Sequence, residues 1–268
     1  MKKKRQLDFN SFPSTRKALY FDVLKKRWRG LFLLSFCFFL GMIPSLVSLI
    51  CRRIFLPLEG DAYSLFAFNT FYFILFSFGL LFLSIPLGGV LKVLKHYSFG
   101  EPVFYKDDFL EGIKDSFLDL FLSILLFSLI LLGSIEICLN PSLHIFIKGL
   151  FVGILCFVLF PILLIMINEI SIYSNKLRYY IKNAIYLYIK NFFKILLVSI
   201  LNLLPLFFFL IGNVVIMTTC LALFYLAINP FLLLFDVIYF NCIFDKSINK
   251  DHYKEIYRKG LFDPNFKE

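Results

Sequence analysis

The amino-acid sequence predicts an all-α fold, a polytopic membrane bundle of about six transmembrane helices. Of the 268 residues, 60% are hydrophobic and 37 are Phe, and the mean hydropathy is +0.82. These values lie outside the range of soluble domains. Stretches of about 20 apolar residues, the length that crosses ~30 Å of hydrocarbon, recur along the chain. Basic residues are concentrated between alternate stretches, which is typical of the loops on one side of a membrane protein.

Six apolar stretches are predicted to span the membrane as three consecutive helical hairpins. They cover residues 31–51, 66–91, 117–139, 146–169, 193–213 and 217–243. The break between the last two is placed at Gly212-Asn213, because the sequence around it has almost no charge. The predicted domains are a cytoplasmic basic N-terminal segment with an amphipathic helix, 1–30, a transmembrane domain, 31–244, and a cytoplasmic C-terminal tail, 245–268. Alternating charges in the tail predict a solvated helix.

An internal repeat supports the division into hairpins. The segments around Lys25, Lys114 and Lys190 align without gaps at the entrances to the first, third and fifth spans. The second, fourth and sixth spans each contain one proline near their cytoplasmic end, and these are Pro86, Pro161 and Pro230. Because proline has no backbone N–H, each is predicted to kink its helix.

Each hairpin is predicted to begin with an amphipathic lead-in helix at the membrane interface. The apolar face consists of Tyr20, Leu24 and Trp28 before the first span, of Phe109, Ile113 and Phe117 before the third, and of Leu177, Ile181, Ala184, Ile185, Tyr188 and Phe192 before the fifth. Asp108 and Glu111 have the spacing of a capping box, which predicts a helix start at Asp108. The alternative interpretation of the lead-ins is a straight helix with one solvated face.

The distribution of basic residues predicts the orientation. With both termini inside, 25 of the 28 Lys and Arg residues are cytoplasmic, and the exceptions are Arg52, Arg53 and Lys148. The same asymmetry accounts for the net charge of +10 without a nucleic-acid partner. The Phe-, Ile- and Lys-rich composition is typical of AT-rich bacterial genomes. We therefore predict a multi-pass protein of the bacterial cell membrane, with the lipid bilayer as its first partner.

No sequence feature indicates catalysis. The three histidines, His96, His144 and His252, fall in separate loops or tails, and the six cysteines show no CxxC or Cys/His spacing. The sequence has no Walker A motif, no HExxH and no G-x-S-x-G. We predict that the protein is not an enzyme and needs no cofactor or metal.

Charged residues inside the predicted spans are candidates for function, because a charge in the bilayer costs at least ~2.5 kcal/mol on insertion scales. Asp236 lies six residues after Pro230, and Lys92 lies six residues after Pro86. The matching depth predicts an ion pair between Lys92 and Asp236. With Glu169 they form the candidate intramembrane polar site. It is either a cavity for a solute or proton, or a structural pair that sets hairpin register with Glu169 at the water interface.

The stretch from Leu83 to Phe121 resembles a known family. A helix containing a proline and small residues is followed by a basic exit, a Gly-Glu turn and an F-x-x-x-[IF]-K-x-x-F pattern. The residues are Pro86, Gly88, Gly89, Lys92, Lys95, Gly100, Glu101, Phe109, Ile113, Lys114 and Phe117. In these features the chain resembles the YesL-like family of bacterial integral membrane proteins, which has no settled biochemical activity. The paired glycines also predict a close approach of another backbone.

Two functions are compatible with these observations. The first is a non-catalytic accessory or regulatory membrane protein that binds another membrane or cytoplasmic protein. For this role the YesL-like resemblance implies proximity to carbohydrate uptake and its signalling. The alternative is a small-solute or proton-coupled transporter that uses a polar site around Asp236 and Lys92, and the three proline-interrupted helices favour it.

Overall fold

The computed structural model describes residues 13–56 and 61–262, and every regular element in these ranges is helical. The α-helices are α1 (Arg16–Ile54), α2 (Ala62–Phe82), α3 (Ser84–Ser98), α4 (Tyr105–Leu139), α5 (Ile145–Ile154), α6 (Phe160–Ile172), α7 (Leu177–Lys190), α8 (Phe192–Asn202), α9 (Val214–Leu223), α10 (Asn229–Phe244) and α11 (Lys250–His252). The predicted all-α polytopic fold is confirmed.

Five helical runs of the described chain are long and apolar enough to cross a membrane. They are α1, α2 with α3, α4, α5 with α6, and α9 to α11. A sixth span results if α7 and α8, which meet at an angle of 107°, are counted as one broken span. The fifth span, predicted over 193–213, is therefore not one helix in these bounds. α8 has 11 residues, which rise about 16 Å, and the 3₁₀-helix Leu204–Leu210 with Pro205 near its start follows it.

The three predicted lead-ins have three different geometries. In α1 the lead-in joins the span through a kink at Arg27, whose φ of −127° and ψ of 16° are not helical. In α7 it is a separate helix that turns sharply into α8 at Asn191. α4 instead runs without interruption from Tyr105, so the third hairpin adopts the straight-helix alternative. The helix start predicted at Asp108 is also corrected, because Asp108 Oδ2 accepts a 2.6 Å bond from the N–H of the N-cap residue Phe104.

All three repeat prolines lie at helix interruptions. Pro86 follows the break at Leu83, while Pro161 and Pro230 are the second residues of α6 and α10. A π-turn precedes each of the latter two, at Leu155–Leu159 and Phe224–Ile228. Such turns and neighbouring hydroxyls replace the hydrogen bonds that proline removes. The hydroxyl donors are Ser84 to Leu81 O, Tyr188 to Phe157 O and Ser35 to Tyr225 O.

α3 packs closely against α4 through glycine. A Cβ on Gly112 would lie 2.6 Å from Gly88 O, and one on Gly88 would lie 2.8 Å from Gly112 O. Neither position has room for a side chain, because the clashing atoms belong to the backbone. Gly89 faces the ring of Phe109 in the same way. The close approach predicted from the paired glycines is confirmed.

The C-terminal residues belong to the bundle. Helical structure continues from α10 through a π-turn at Asp245–Asn249 to His252, so the domain boundary predicted at 245 lies inside a helical run. Tyr253, Ile256 and Leu261 then pack against the hydrophobic core. The described part of the tail is therefore not the solvated helix that its charge pattern predicts. Residues 1–12 and 263–268, which complete the predicted terminal domains, lie outside the described residues.

Candidate functional site

An interhelical cavity of about 200 Å³ lies where the helix interruptions meet. Its wall includes Leu83 from the α2–α3 break, Phe160 and Asn229 from the helix restarts after the two π-turns, and Pro205 from the 3₁₀-helix. Most of the remaining lining is Leu, Ile and Phe. The breaks, which are separated along the chain, thus converge on one apolar space, which we call the central cavity.

Asp236 is the acidic side chain of the central cavity, and no other acidic or basic residue lines the cavity in the described part of the chain. The residue is 5% exposed, and its Oδ1 accepts a 3.1 Å hydrogen bond from Asn202 Nδ2. Asn168 also lines the cavity, with its Nδ2 bonded to Leu164 O at 2.9 Å and its buried Oδ1 without a hydrogen-bond donor among the described residues. Two of the residues that line the cavity, Asp236 and Asn168, therefore carry acceptor oxygens for which the described chain supplies few donors.

The ion pair predicted between Lys92 and Asp236 is not formed. Lys92 Nζ lies 2.9 Å from Glu111 Oε1 and 2.7 Å from Asp115 Oδ2, so its partners are on the adjacent α4. Asp236 has the neutral partner Asn202 instead. Lys92 and Asp236 line two different concave sites.

Glu169 belongs to neither site. Its side chain is fully buried, which disagrees with the alternative that places Glu169 at the water interface. Its Oε1 accepts a 2.6 Å hydrogen bond from Asn183 Nδ2 on α7. The other oxygen, Oε2, has no hydrogen-bond donor within the described ranges. Glu169 thus ties α6 to α7, and the predicted three-residue polar site is divided among three locations.

The second concave site is a cleft of about 570 Å³ between α3, α4 and the connection from α6 to α7, which we call the lysine cleft. Its charged lining residues are Lys92, Lys95, Asp115, Asp119 and Lys176. Gly88, Gly112 and Ser116 form its floor, at the close contact between α3 and α4. Sequence reasoning identified Lys92 and the glycines but not the enclosing connection.

Lys95 and Lys176 have no carboxylate within salt-bridge distance in the two described ranges, unlike Lys92. Lys95 Nζ donates to Ile172 O at 3.3 Å. Asp119 likewise has no cationic partner in this part of the structure. The cleft therefore contains two basic residues and one acidic residue that form no ion pair within the described residues.

The connection that borders the cleft is held by tyrosines. Tyr180 OH donates to Tyr173 O at 2.6 Å and accepts from the N–H of Asn175 at 2.9 Å. Tyr173 OH donates to Asn249 Oδ1, and burial raises the pKa of this hydroxyl, so it stays protonated. The cleft wall is thereby connected to the C-terminal helical run.

A buried ion pair between Arg16 and Asp245 is the main feature that sequence reasoning missed. Arg16 Nη2 lies 2.8 Å from Asp245 Oδ2, and Arg16 Nη1 donates to Ser98 O at 3.0 Å and to Lys259 O at 3.1 Å. Asp245 Oδ1 also accepts from Asn249 Nδ2 at 2.9 Å. This cluster joins the first helix to the last, and no local pattern signals a pair separated by 229 residues.

The described residues contain no group of three or more His, Cys, Asp or Glu side chains that could hold a metal ion. All six cysteines are free thiols.

Comparison of the chain with protein families, with curated proteins and with solved structures gives no match. The YesL-like resemblance and the role that it implies stay predictions.

Proposed function

We propose that the protein is a non-catalytic accessory or regulatory membrane protein that binds a segment of another protein in the lysine cleft. The observation that carries this proposal is the pair of cleft lysines, Lys95 and Lys176, without carboxylate partners in the described chain. A cation beside a concave surface attracts an acidic group, and partial burial strengthens that attraction over its value in water. Asp119 offers a site for a basic group on the same partner.

The surroundings of the cleft favour a preformed site. Glycine contact fixes the floor, and the two hydrogen bonds of Tyr180 fix one wall. A rigid wall reduces the entropy lost when a partner binds. In the orientation predicted from the positive-inside rule, the cleft faces the cytoplasm, where regulatory partners are accessible. The YesL-like resemblance adds a link to carbohydrate uptake to this proposal.

Photo-crosslinking combined with charge reversal tests the partner-binding role. A photoreactive residue at Tyr179, which lines the cleft and is exposed, should cross-link a specific protein, whereas the same probe at the exposed Leu118 on α4 should not. The change Lys95→Glu with Lys176→Glu should abolish both cross-linking and co-purification in mild detergent. Lys254→Glu, at an exposed position elsewhere, is the matched control. Co-purification that survives the double reversal, or that is lost equally with Lys254→Glu, would contradict the role of the cleft.

The central cavity favours a second candidate, a small-solute or proton-coupled transporter. Transporters form their binding sites from interrupted helices near the bilayer midplane. Here Leu83 at the α2–α3 break, Pro205 of the 3₁₀-helix and the first residues of α6 and α10 border one cavity that contains Asp236. Lys92 is not part of this site, because it lines the lysine cleft. Proton or solute flux into proteoliposomes that is lost with Asp236→Asn and kept with Lys92→Met would support transport; flux equal to that of empty liposomes would oppose it.

A further inference from the structure

We infer that the central cavity is a binding site for a small organic cation, an ammonium group on a compact apolar body. The inference deepens the second candidate function by naming the class of ligand, but it requires binding alone and not transport. It rests on the charge, the size and the lining of the cavity.

The carboxyl group of Asp236 favours a positively charged ligand in the cavity. Asp236 is almost fully buried, and Asn202 is its one hydrogen-bond partner in the described chain. A buried carboxylate is costly without a positive partner. Asn168 adds a buried oxygen without a donor beside the same space. A primary ammonium has one positive charge and three N–H donors, so it supplies the cation that Asp236 lacks and has donors left for a neighbouring acceptor.

The size and lining restrict the rest of the ligand. An apolar cavity of about 150 Å³ is large enough for benzene, and the central cavity has about 200 Å³. The rings of Phe127, Phe160 and Phe224 are part of its wall. Aromatic faces attract organic cations, and the aliphatic remainder of the wall favours an apolar body. The ligand therefore has about the size of benzylammonium.

Metal cations fit this cavity less well. Ca²⁺ takes six to eight oxygen ligands, and Mg²⁺ keeps several waters in near-octahedral geometry. The polar side chains that line the cavity are Asp236, Asn168, Asn202, Asn229 and Tyr225. Asp236 is the one carboxyl group among these lining residues, so a bound divalent ion would keep an uncompensated positive charge in an apolar cavity. A singly charged cation would not.

Calorimetric titration of the full chain in detergent tests the inference with benzylammonium as the probe and benzyl alcohol as its neutral counterpart. We expect benzylammonium to bind at least tenfold more tightly than the alcohol. Asp236→Asn should reduce its affinity to that of the alcohol. Glu169→Gln, which changes a buried carboxylate outside the cavity, should leave the affinity unchanged. Equal affinity for the two probes, or full benzylammonium affinity in Asp236→Asn, would overturn the inference.

A second variant keeps the test decisive if Asp236→Asn does not fold. Leu163→Trp places a larger side chain at a cavity-lining position and keeps the carboxylate. It should weaken the binding of both probes at least tenfold. Unchanged benzylammonium binding would show that the probe binds outside the cavity. Flux in proteoliposomes is measured separately, so binding without flux would contradict transport and leave the binding site intact.

Discussion

Two buried carboxylates on the helical run Val214–His252 have opposite surroundings. Asp245, 6% exposed, is paired with Arg16 and accepts further hydrogen bonds from Asn249 and the N–H of Arg258. Asp236, 5% exposed, accepts one hydrogen bond from Asn202 and has no cation within salt-bridge distance in the described chain. The first region joins four segments of the chain, and the second lines a cavity.

The difference in partners distinguishes a carboxylate that stabilises the fold from one that is available to a ligand. A buried charge whose partners are all supplied by the fold holds the fold together, and removal of one partner leaves the other stranded. A buried charge that the fold leaves with one neutral partner costs stability and is available to a ligand. Asp245 and Asp236 therefore have different expected responses to substitution, although their burial is nearly equal.

The largest effect is expected for Arg16→Met. It leaves Asp245 buried without its cation, and such a loss typically costs about 3–5 kcal/mol. The free energy of unfolding, measured by titration with a denaturing detergent in mixed micelles, should fall by that amount. Arg16→Met with Asp245→Leu is the matched control and should recover most of the loss. If the double variant is as unstable as the two single losses added, the pair is not the source of the stability.

A smaller loss is expected for Gly112→Ala at the floor of the lysine cleft. The added methyl group would meet Gly88 O at 2.6 Å, so α3 and α4 must move apart. Overpacking of this kind costs about 1–3 kcal/mol. Gly149→Ala is the control, since nothing lies within 4 Å of its Cβ position. Similar unfolding free energies for the two variants would show that the floor is not closely packed.

Little or no loss of stability is expected for Asp236→Leu. The substitution removes a buried carboxyl group that has no cationic partner, so the free energy of unfolding should stay within about 1 kcal/mol of the unchanged protein or rise. Asp245→Leu, measured in the same detergent titration, should lower it clearly. A loss of several kcal/mol in Asp236→Leu would mean that this carboxylate is as structural as Asp245, and the contrast between the two regions would be lost.

The smallest effect is expected for Lys92→Ala. Its partners Glu111 and Asp115 have side chains that are 59% and 56% exposed, and exposed ion pairs contribute less than about 1 kcal/mol. Lys92 does not contact Asp236, so the double variant Lys92→Ala with Asp236→Ala should show the sum of the two single effects. A coupling energy above about 0.5 kcal/mol would contradict this expectation and support the ion pair predicted from the repeat.

The ion pair between Lys92 and Asp236 was inferred from equal spacing after a proline, and the structure shows why that inference fails. Lys92 meets Glu111 and Asp115 on α4, whereas Asp236 meets Asn202 at the end of α8. Equal spacing from a proline sets a position within one helix, but the neighbour that this position meets depends on how the whole helix is rotated and packed. The superposition of the three hairpins stays a prediction.

The sequence by itself determined the all-α membrane fold, the helix interruptions near Pro86, Pro161 and Pro230, and the close backbone approach at Gly88-Gly89. These features follow from local properties: hydropathy over about 20 residues, the missing N–H of proline and the missing Cβ of glycine. It also identified Asp236 as a charge in an apolar helix.

The tertiary structure alone decided which polar groups meet. Arg16 reaches Asp245 across nearly the whole chain, the 107° turn between α7 and α8 places Asn202 beside Asp236, and the helix breaks converge on one cavity. Pairing depends on the rotation and bending of each helix, and these are set by packing against all neighbouring helices together. Hydropathy carries no information about that rotation, because an apolar helix in a membrane is apolar on every face.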